Sequence, residues 1–368
     1  MSKIIVNIPK IIENINEISQ LMKKNKKEWT IVCKVLAGNR EILRNILHSK
    51  VIKKVHSVAD SRLSGLKIMK EINPEIRTML IKPPSKYQIP SVVRFADISL
   101  NTSIKTIHSL NREAEKIGVV HKVIIMIELG ELREGILKEN TVKFYSSVFD
   151  LKNIEIIGIG TNLGCMYGVE PDHDKLLQLT LFRKIIELKF GRDLPVISGG
   201  SSITLPLLEL GAIPEGMNHF RIGEAAFIGT TPYNNKRFHN LNEDGFRLSA
   251  NIIEIEKKPL FPDGRIGNGN VGHADMGLFK ENSKENDHFK AIVDFGALDV
   301  SPETDLTPLD EKVRFIGTTS DMTVFDIGKN KVGLKVGDTI KFKPNYMGVA
   351  RLMLSKYVKK EPVDNINH

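Results

Sequence analysis

The sequence predicts an α/β fold: a (β/α)8 barrel of the TIM type, followed by a C-terminal, mostly β domain. Three observations predict it. From residue 29 onward, short apolar runs rich in β-branched residues alternate with helical patterns. About eight such units fit into roughly 220 residues, which favours a closed barrel over an open doubly wound sheet. Beyond about residue 235 the pattern changes to β-rich segments separated by glycine- and aspartate-rich turns such as FPDGRIGNGN and KVGD.

The elements follow in order. KIIVN (3–7) reads as a strand, and Ile11, Ile12, Ile15, Ile18, Leu21 and Met22 recur at helical spacing across 10–24. The strand-sized runs are 29–35, 51–58, 77–82, 94–100, 121–129, 154–162, 194–199 and 218–222. Helical patterns separate them, for example at 103–118 and 173–190. The connection between 82 and 94 holds Pro83, Pro84 and Pro90 and predicts a loop or a brief helix. The β-rich segments are 247–256, 290–294, 312–317, 322–327, 338–342 and 350–354. The tail KKEPVDNINH is expected to fray. The barrel is therefore assigned to 8–235 and the second domain to 236–368, with residues 1–7 joining the latter as a strand.

Composition narrows the class. The 368 residues are 41% hydrophobic and 26% charged, enough for a large core. The net charge is +9, but the lysines are mostly scattered. Their densest cluster, KKNKKE at 23–28, ends a predicted helix, and no aromatic residues interleave with basic ones. Nucleic-acid binding is not expected; attraction of a small anion is a milder use of the charge. Cys33 and Cys165 are the only cysteines. They suggest neither a disulfide framework nor a cysteine zinc site and suit a reducing cytoplasm. No apolar run approaches the roughly 20 residues of a membrane span, and MSKIIVNIPKIIENI has no signal-peptide pattern.

In a barrel the chemistry sits where strands end, on the C-terminal face. The first run, WTIVCKVLAGN at 29–39, contains a lysine. Alternation puts Thr30, Val32 and Lys34 on one face and Trp29, Ile31 and Cys33 on the other. An amine desolvated among apolar neighbours has a lowered pKa and can form a Schiff base with a carbonyl. A surface lysine ending an edge strand is the plainer alternative. Later strands run into ELGELREG with Arg133, GIGTNLGC with Asn162 and Cys165, ISGGSS with Ser201 and Ser202, and FRIGEA with Arg221. Two glycines, two hydroxyls and a following helix in ISGGSSITLPLLELG fit an anion site, or simply a serine N-cap after a turn. Arg221 lies in an apolar run and needs an acceptor, which a structural ion pair would also supply. Arg133, between Glu131 and Glu134, reads equally as a solvated loop charge.

The motifs KVLAGN (34–39), ADISLN (96–101), IELGELREGI (127–136), GIGTNLGC (158–165), ISGGSSITLPLLELG (197–211) and NHFRIGEA (218–225) keep one order along the chain. GALDV (296–300), LTPLD (306–310) and TTSD (318–321) continue it into the second domain. Together they resemble the alanine-racemase-type, fold type III pyridoxal 5′-phosphate (PLP) enzymes, and within them the alanine/ornithine racemase branch. The resemblance implies that Lys34 is the Schiff-base lysine and one of two proton-transfer groups. It implies that Arg221 hydrogen-bonds the pyridine nitrogen, which then stays unprotonated. Arg133 would lie near the cofactor phenolate and the substrate carboxylate. Asn162 stands where the family has a histidine bonded to the pyridine-pairing arginine. Ser202, Ile222 and Gly223, beside Ser201, match phosphate donors, and Tyr346 resembles a tyrosine that caps the phosphate. Asp321 resembles an aspartate brought to the site by the other subunit of a head-to-tail homodimer with shared active sites.

Two positions depart from the family pattern. Gly38 replaces a tyrosine four residues after the lysine, and RIGNGNVGHADMG (265–277) lacks the catalytic tyrosine expected there. A racemase needs a proton donor on each face of Cα. His273 is the candidate for the second, with Asp275 or Cys165 behind it, and a loop histidine without a role is the alternative. The expectation is a PLP-dependent amino-acid racemase acting on ornithine or another basic amino acid, with alanine, lysine and broad specificity open. A non-catalytic PLP-binding homeostasis protein and a fold type III lyase are the rival readings. A cationic side chain would need an acidic partner, for which Glu131, Glu134, Asp299 and Asp321 are available. No metal is implied.

Overall fold

The structure, a computed structural model, describes residues 1–259, 262–267, 272–275 and 288–364. The chain divides into two compact units. One comprises Lys10–Lys34 and Gly38–Glu243, the other Met1–Pro9, Val35–Ala37 and Asp244–His368.

After β1 (Lys3–Asn7), the strands β2 (Glu28–Val32), β3 (Ser57–Asp60), β4 (Thr78–Leu80), β5 (Ile98–Asn101), β6 (His121–Met126), β7 (Ile154–Gly160), β8 (Val196–Ser201) and β9 (His219–Ile222) follow in order. From β2 to β9 they form a closed parallel barrel, β9 pairing back onto β2. This is the expected barrel, and each of the eight predicted runs overlaps one of its strands. The first two runs depart most from the sequence reading. The first stops at Val32, and Cys33–Leu36 coil into a 3-10 turn. Ala37 and Gly38 then adopt left-handed φ of 50° and 74°, turning the chain into the helix Arg40–Leu47. In the second run, Lys50–Lys54 form a 3-10 turn that buries Val51 and Ile52, and extended pairing begins only at Ser57. A short apolar run does not by itself distinguish a strand from a buried turn. The proline-rich connection holds a 3-10 turn, Lys86–Gln88, and the brief helix Ile89–Phe95. Pro90 lies in its first turn, where a missing N–H costs nothing.

Strand alternation sorts the side chains. Val32, Ala59, Met79, Ile98, Leu100, Ile124, Met126, Ile157 and Val196 form one buried cluster, drawn from β2 through β8. On the opposite face of β2, Trp29 is buried, and its Nε1 donates to Ser19 Oγ (3.2 Å) on the helix Ile8–Lys24. Ile11, Ile15 and Ile18 of that helix are buried too, as its helical spacing requires.

The second unit is a mostly antiparallel sheet around the long strand Phe246–Lys257. The first part of that strand pairs with β1 and with Thr339–Pro344. From Ile252 onward it pairs with Phe289–Val293, with a register shift between Ile252 and Glu254. The segment 350–354 is not a strand: it ends the helix Tyr346–Leu354. Asn345 Oδ1 caps this helix by accepting the Gly348 N–H (2.8 Å), and Val349, Leu352 and Met353 bury at helical spacing. The tail also departs from expectation, because Lys359–Val363 pairs in parallel with β1. Among the described residues, no helix is long and apolar enough to cross a membrane.

Candidate active site

Lys34 stands in the 3-10 turn that follows β2. Cys33 and Val35 on either side are fully buried, but Lys34 is exposed. The sequence-based picture of an amine shut among apolar neighbours is therefore corrected: the turn rotates Lys34 away from the face it would occupy in a strand. Its surroundings are ionic. β2 pairs with β3 on one side and β9 on the other, so Asp60, ending β3, and Glu224, just after β9, flank it in strand order. Burial pushes the Asp60 carboxyl up to about 6, against the pull of the Arg62 and Ser61 N–H groups and the charges of Arg62 and Lys34. Burial likewise pushes Glu224 up to about 7, against the Thr230 hydroxyl bond (2.9 Å) and the charge of Lys34. The sequence reading missed both carboxyls, although an acid at the C-terminal end of a barrel strand was a legible signal.

Arg221, on β9, is 7% exposed. Its Nη1 donates to the main-chain oxygen of Ser198 (2.7 Å) and to Ser198 Oγ, and its Nη2 donates to the main-chain oxygen of Thr161 (2.6 Å). No carboxylate among the described residues lies within ion-pair distance, so a structural ion pair does not explain it. Burial lowers its pKa to about 10, with Glu134 opposing and Arg133 assisting, which leaves it cationic at neutral pH. Asn162, placed beside Arg221 by the resemblance, is not among its partners; the preceding carbonyl is. Asn162 Nδ2 is buried and has no hydrogen-bond acceptor among the described residues.

The ISGGSS segment follows a different logic from the one its glycines suggest. A Cβ on Gly200 would sit 2.1 Å from the Phe220 ring, and one on Gly199 would press on Met217 Sδ at 2.9 Å. These glycines make room for side-chain packing. Ser201 N donates to Thr204 Oγ1 (2.7 Å) at the start of the 3-10 turn Ser202–Thr204. Ser202 Oγ accepts the Ala225 N–H (3.3 Å), joining the loop after β8 to the one after β9. Ile222 and Gly223 are buried beside it.

Arg133 is held by a two-pronged ion pair with Glu134, and its Nη1 donates to Cys165 Sγ (2.7 Å). Cys165 itself is exposed. Glu131 accepts four backbone N–H groups, from Cys165, Met166, Tyr167 and Val169, at 2.8 to 3.2 Å. Burial pushes its pKa up, but these four bonds outweigh burial and hold it below the usual range. Glu131 and Glu134 are thus committed within the protein. Gly38 has φ 74°, and a Cβ there would lie 3.2 Å from Ile68 Cδ1, so the turn disfavours the tyrosine of the family pattern.

The remaining candidates belong to the second unit. His273 is exposed, and its Nε2 lies 2.9 Å from Glu303 Oε2. Of the surrounding stretch, residues 268–271, 276 and 277 lie outside the described residues. Asp321 is exposed, and its Oδ1 accepts from the Ser320 hydroxyl (3.1 Å). Tyr346 opens the helix Tyr346–Leu354 and is partly exposed. Asp299 is buried and accepts the Ser355 hydroxyl and, at 3.3 Å, the Gly296 N–H.

The family model for the alanine racemase N-terminal domain matches residues 6–231. The chain belongs to the alanine racemase family. An ornithine racemase of Acetoanaerobium sticklandii is 32% identical over 364 residues, covering 98% of this chain and 99% of its own. A lysine racemase of Thermotoga maritima is 29% identical, covering 97% of both chains. Among solved structures, alanine racemase from Bartonella henselae with covalently bound pyridoxal phosphate matches with a TM-score of 0.69. It is 14% identical and covers 98% of this chain and 99% of its own. A D-threonine aldolase from Filomicrobium marinum matches with a TM-score of 0.70 at 13% identity, covering 96% and 88%. The family's fold alone therefore does not choose between racemisation and carbon–carbon cleavage.

Proposed function

We propose that this chain is a PLP-dependent amino-acid racemase acting on ornithine or another basic amino acid. Two racemases of basic amino acids align with it from end to end, and it has a lysine and a buried arginine at the ends of paired strands. The observation that carries the reading is Arg221: a buried cation with no carboxylate partner among the described residues, on the strand β9, in register with Thr30, four residues before Lys34. The residues fit the cofactor. Asn162 Nδ2 is a buried donor without an acceptor among the described residues, Arg221 is a cation met only by neutral oxygens, and the segments after β8 and β9 offer hydroxyl and backbone donors at Ser201, Ser202, Ile222 and Gly223.

In this reading Lys34 holds PLP, Arg221 meets the pyridine nitrogen, and Ser201, Ser202, Ile222 and Gly223 hold the phosphate, capped by Tyr346. Asn162 closes the cofactor's side. Bound there, PLP supplies an electron sink for the electrons of the substrate Cα–H bond. Because Arg221 stays cationic, the ring nitrogen it meets stays unprotonated and the sink is moderate. Arg133, fixed by Glu134, orients the substrate carboxylate. Lys34 Nζ moves the proton on one face of Cα, and His273 moves it on the other. Asp321 completes the pocket from the partner subunit of a head-to-tail homodimer working in the cytoplasm. With Glu131 and Glu134 engaged elsewhere, exposed Asp321 is the acidic group for the substrate's distal ammonium.

The test is interconversion of D- and L-ornithine in deuterated water. Deuterium entering Cα as optical rotation decays supports racemisation. Aldehyde or carbon dioxide release would assign a lyase, and no exchange with any amino acid would end the enzyme reading.

A further inference from the structure

A line of hydrogen bonds crosses the barrel wall from Arg221. Ser198 Oγ meets His219 Nδ1 at 2.8 Å, His219 Nε2 meets Thr30 Oγ1 at 2.9 Å, and Thr30 Oγ1 meets Ser57 Oγ at 2.7 Å. Ser57 Oγ then meets His56 Nδ1 at 3.2 Å. Ser198 and Thr30 are fully buried, and His219 and Ser57 are 1% exposed.

We infer that His219 is a positioning residue for Arg221, acting through Ser198 as a neutral imidazole protonated only on Nε2. The direction of the line follows from counting protons. Ser198 Oγ accepts from Arg221 Nη1, and among the described residues its own proton has His219 Nδ1 as acceptor; a proton on Nδ1 would leave that buried hydroxyl proton unpaired. Nδ1 is therefore an acceptor, and the ring proton sits on Nε2, donating to Thr30. The Thr30 proton then points to Ser57, and the Ser57 proton to His56 Nδ1. Every oxygen in the line thus turns its lone pairs toward the guanidinium, and each bond polarises the next. A charged His219 would reverse the first link and set two cations against one hydroxyl. Burial, the neighbouring His56 and Arg221 all push its pKa well below the ordinary value, so it stays neutral. The consequence is a guanidinium fixed in plane and kept cationic where it meets the cofactor, an inference that rests on the proposed PLP site.

Two measurements test it on the full-length chain. In chain labelled with 15N-histidine, with and without PLP, His219 should show a neutral ring protonated on Nε2 that does not titrate across the neutral range. A proton on Nδ1, or an imidazolium, overturns the inference whatever the chain binds. Next, PLP affinity and the pH dependence of the bound cofactor's visible absorption are compared across variants. His219→Phe should weaken PLP about tenfold, the worth of one charged hydrogen bond, and shift the absorption pH profile. His219→Asn, whose Oδ1 can stand where Nδ1 stood, should restore both. Unchanged affinity and profile in His219→Phe overturn the inference, and so does failure of His219→Asn to rescue either. Should His219→Phe not fold, the asparagine variant and the 15N spectrum decide. If the native chain takes up no PLP, the proposed function falls and this inference with it; loss confined to variants cannot be confused with that result.

Discussion

The two sides of the barrel interior are built differently. Across β4 to β7 the buried part of the face that holds Met79, Ile98, Leu100, Ile124, Met126 and Ile157 is apolar, and its charged pair, Lys122 with Glu155 (3.6 Å), is solvent-accessible. Across β8, β9, β2 and β3 the corresponding positions include polar residues on every strand: Ser198 beside Val196, His219 and Arg221 together, Thr30 beside Val32, and Ser57 beside Ala59. The apolar side gains from burial and from close packing, which holds regardless of orientation. On the polar side each buried group needs a partner with defined geometry, which costs stability if one is lost but fixes where a cation points. The polar side leads to Lys34 and Arg221, and the apolar side leads to neither. The buried polar positions inside the barrel thus gather on the half that carries Lys34 and Arg221, while the half that leads to Arg133 and Asn162 is held by apolar packing.

Substitutions can break that division. Ile124→Ala on the apolar side should cost about 2–5 kcal/mol through lost burial and the cavity it leaves. Denaturant unfolding would read this, and PLP affinity should not change. A loss of affinity equal to that in a polar-side variant would erase the distinction. Thr30→Val keeps the shape but removes a hydroxyl with partners at His219 and Ser57, and should cost about 1–3 kcal/mol. A neutral outcome would mean that the buried hydroxyls are incidental. The smallest effect concerns Glu224, whose pKa is raised in the folded chain. Below the ordinary carboxylate range it is protonated, folded or unfolded. As pH rises from about 4.5 to about 7, the unfolded chain ionises while the folded one resists, so stability falls. Glu224→Gln should remove a decline of about 1 kcal/mol across that window, after discounting for partial exposure.

Much of this was readable in the sequence, for a physical reason. A parallel barrel strand is buried on both faces, so Ile-, Val- and Gly-rich runs such as IEIIGIG mark strands plainly. The ends of those runs pointed to Lys34, Asn162, Ser202 and Arg221. What escaped were features set by context. Lys34 faces solvent because a 3-10 turn replaces the last part of the expected strand. Gly199 and Gly200 resembled a phosphate cradle but make room for Met217 and Phe220. Thr30, Ser57, Ser198 and His219 are single polar residues inside apolar runs, and only strand register brings them together. The end of the helix Tyr346–Leu354 reads as a strand because Ala350, Leu352, Met353 and Leu354 around Arg351 fit either period.

The most direct test uses the chain incubated with PLP, reduced with borohydride and digested, with the peptides then weighed. The account predicts a pyridoxyl phosphate adduct on the peptide that contains Lys34, and none in Lys34→Ala. An adduct confined to another lysine, or no adduct in the native chain, would contradict it.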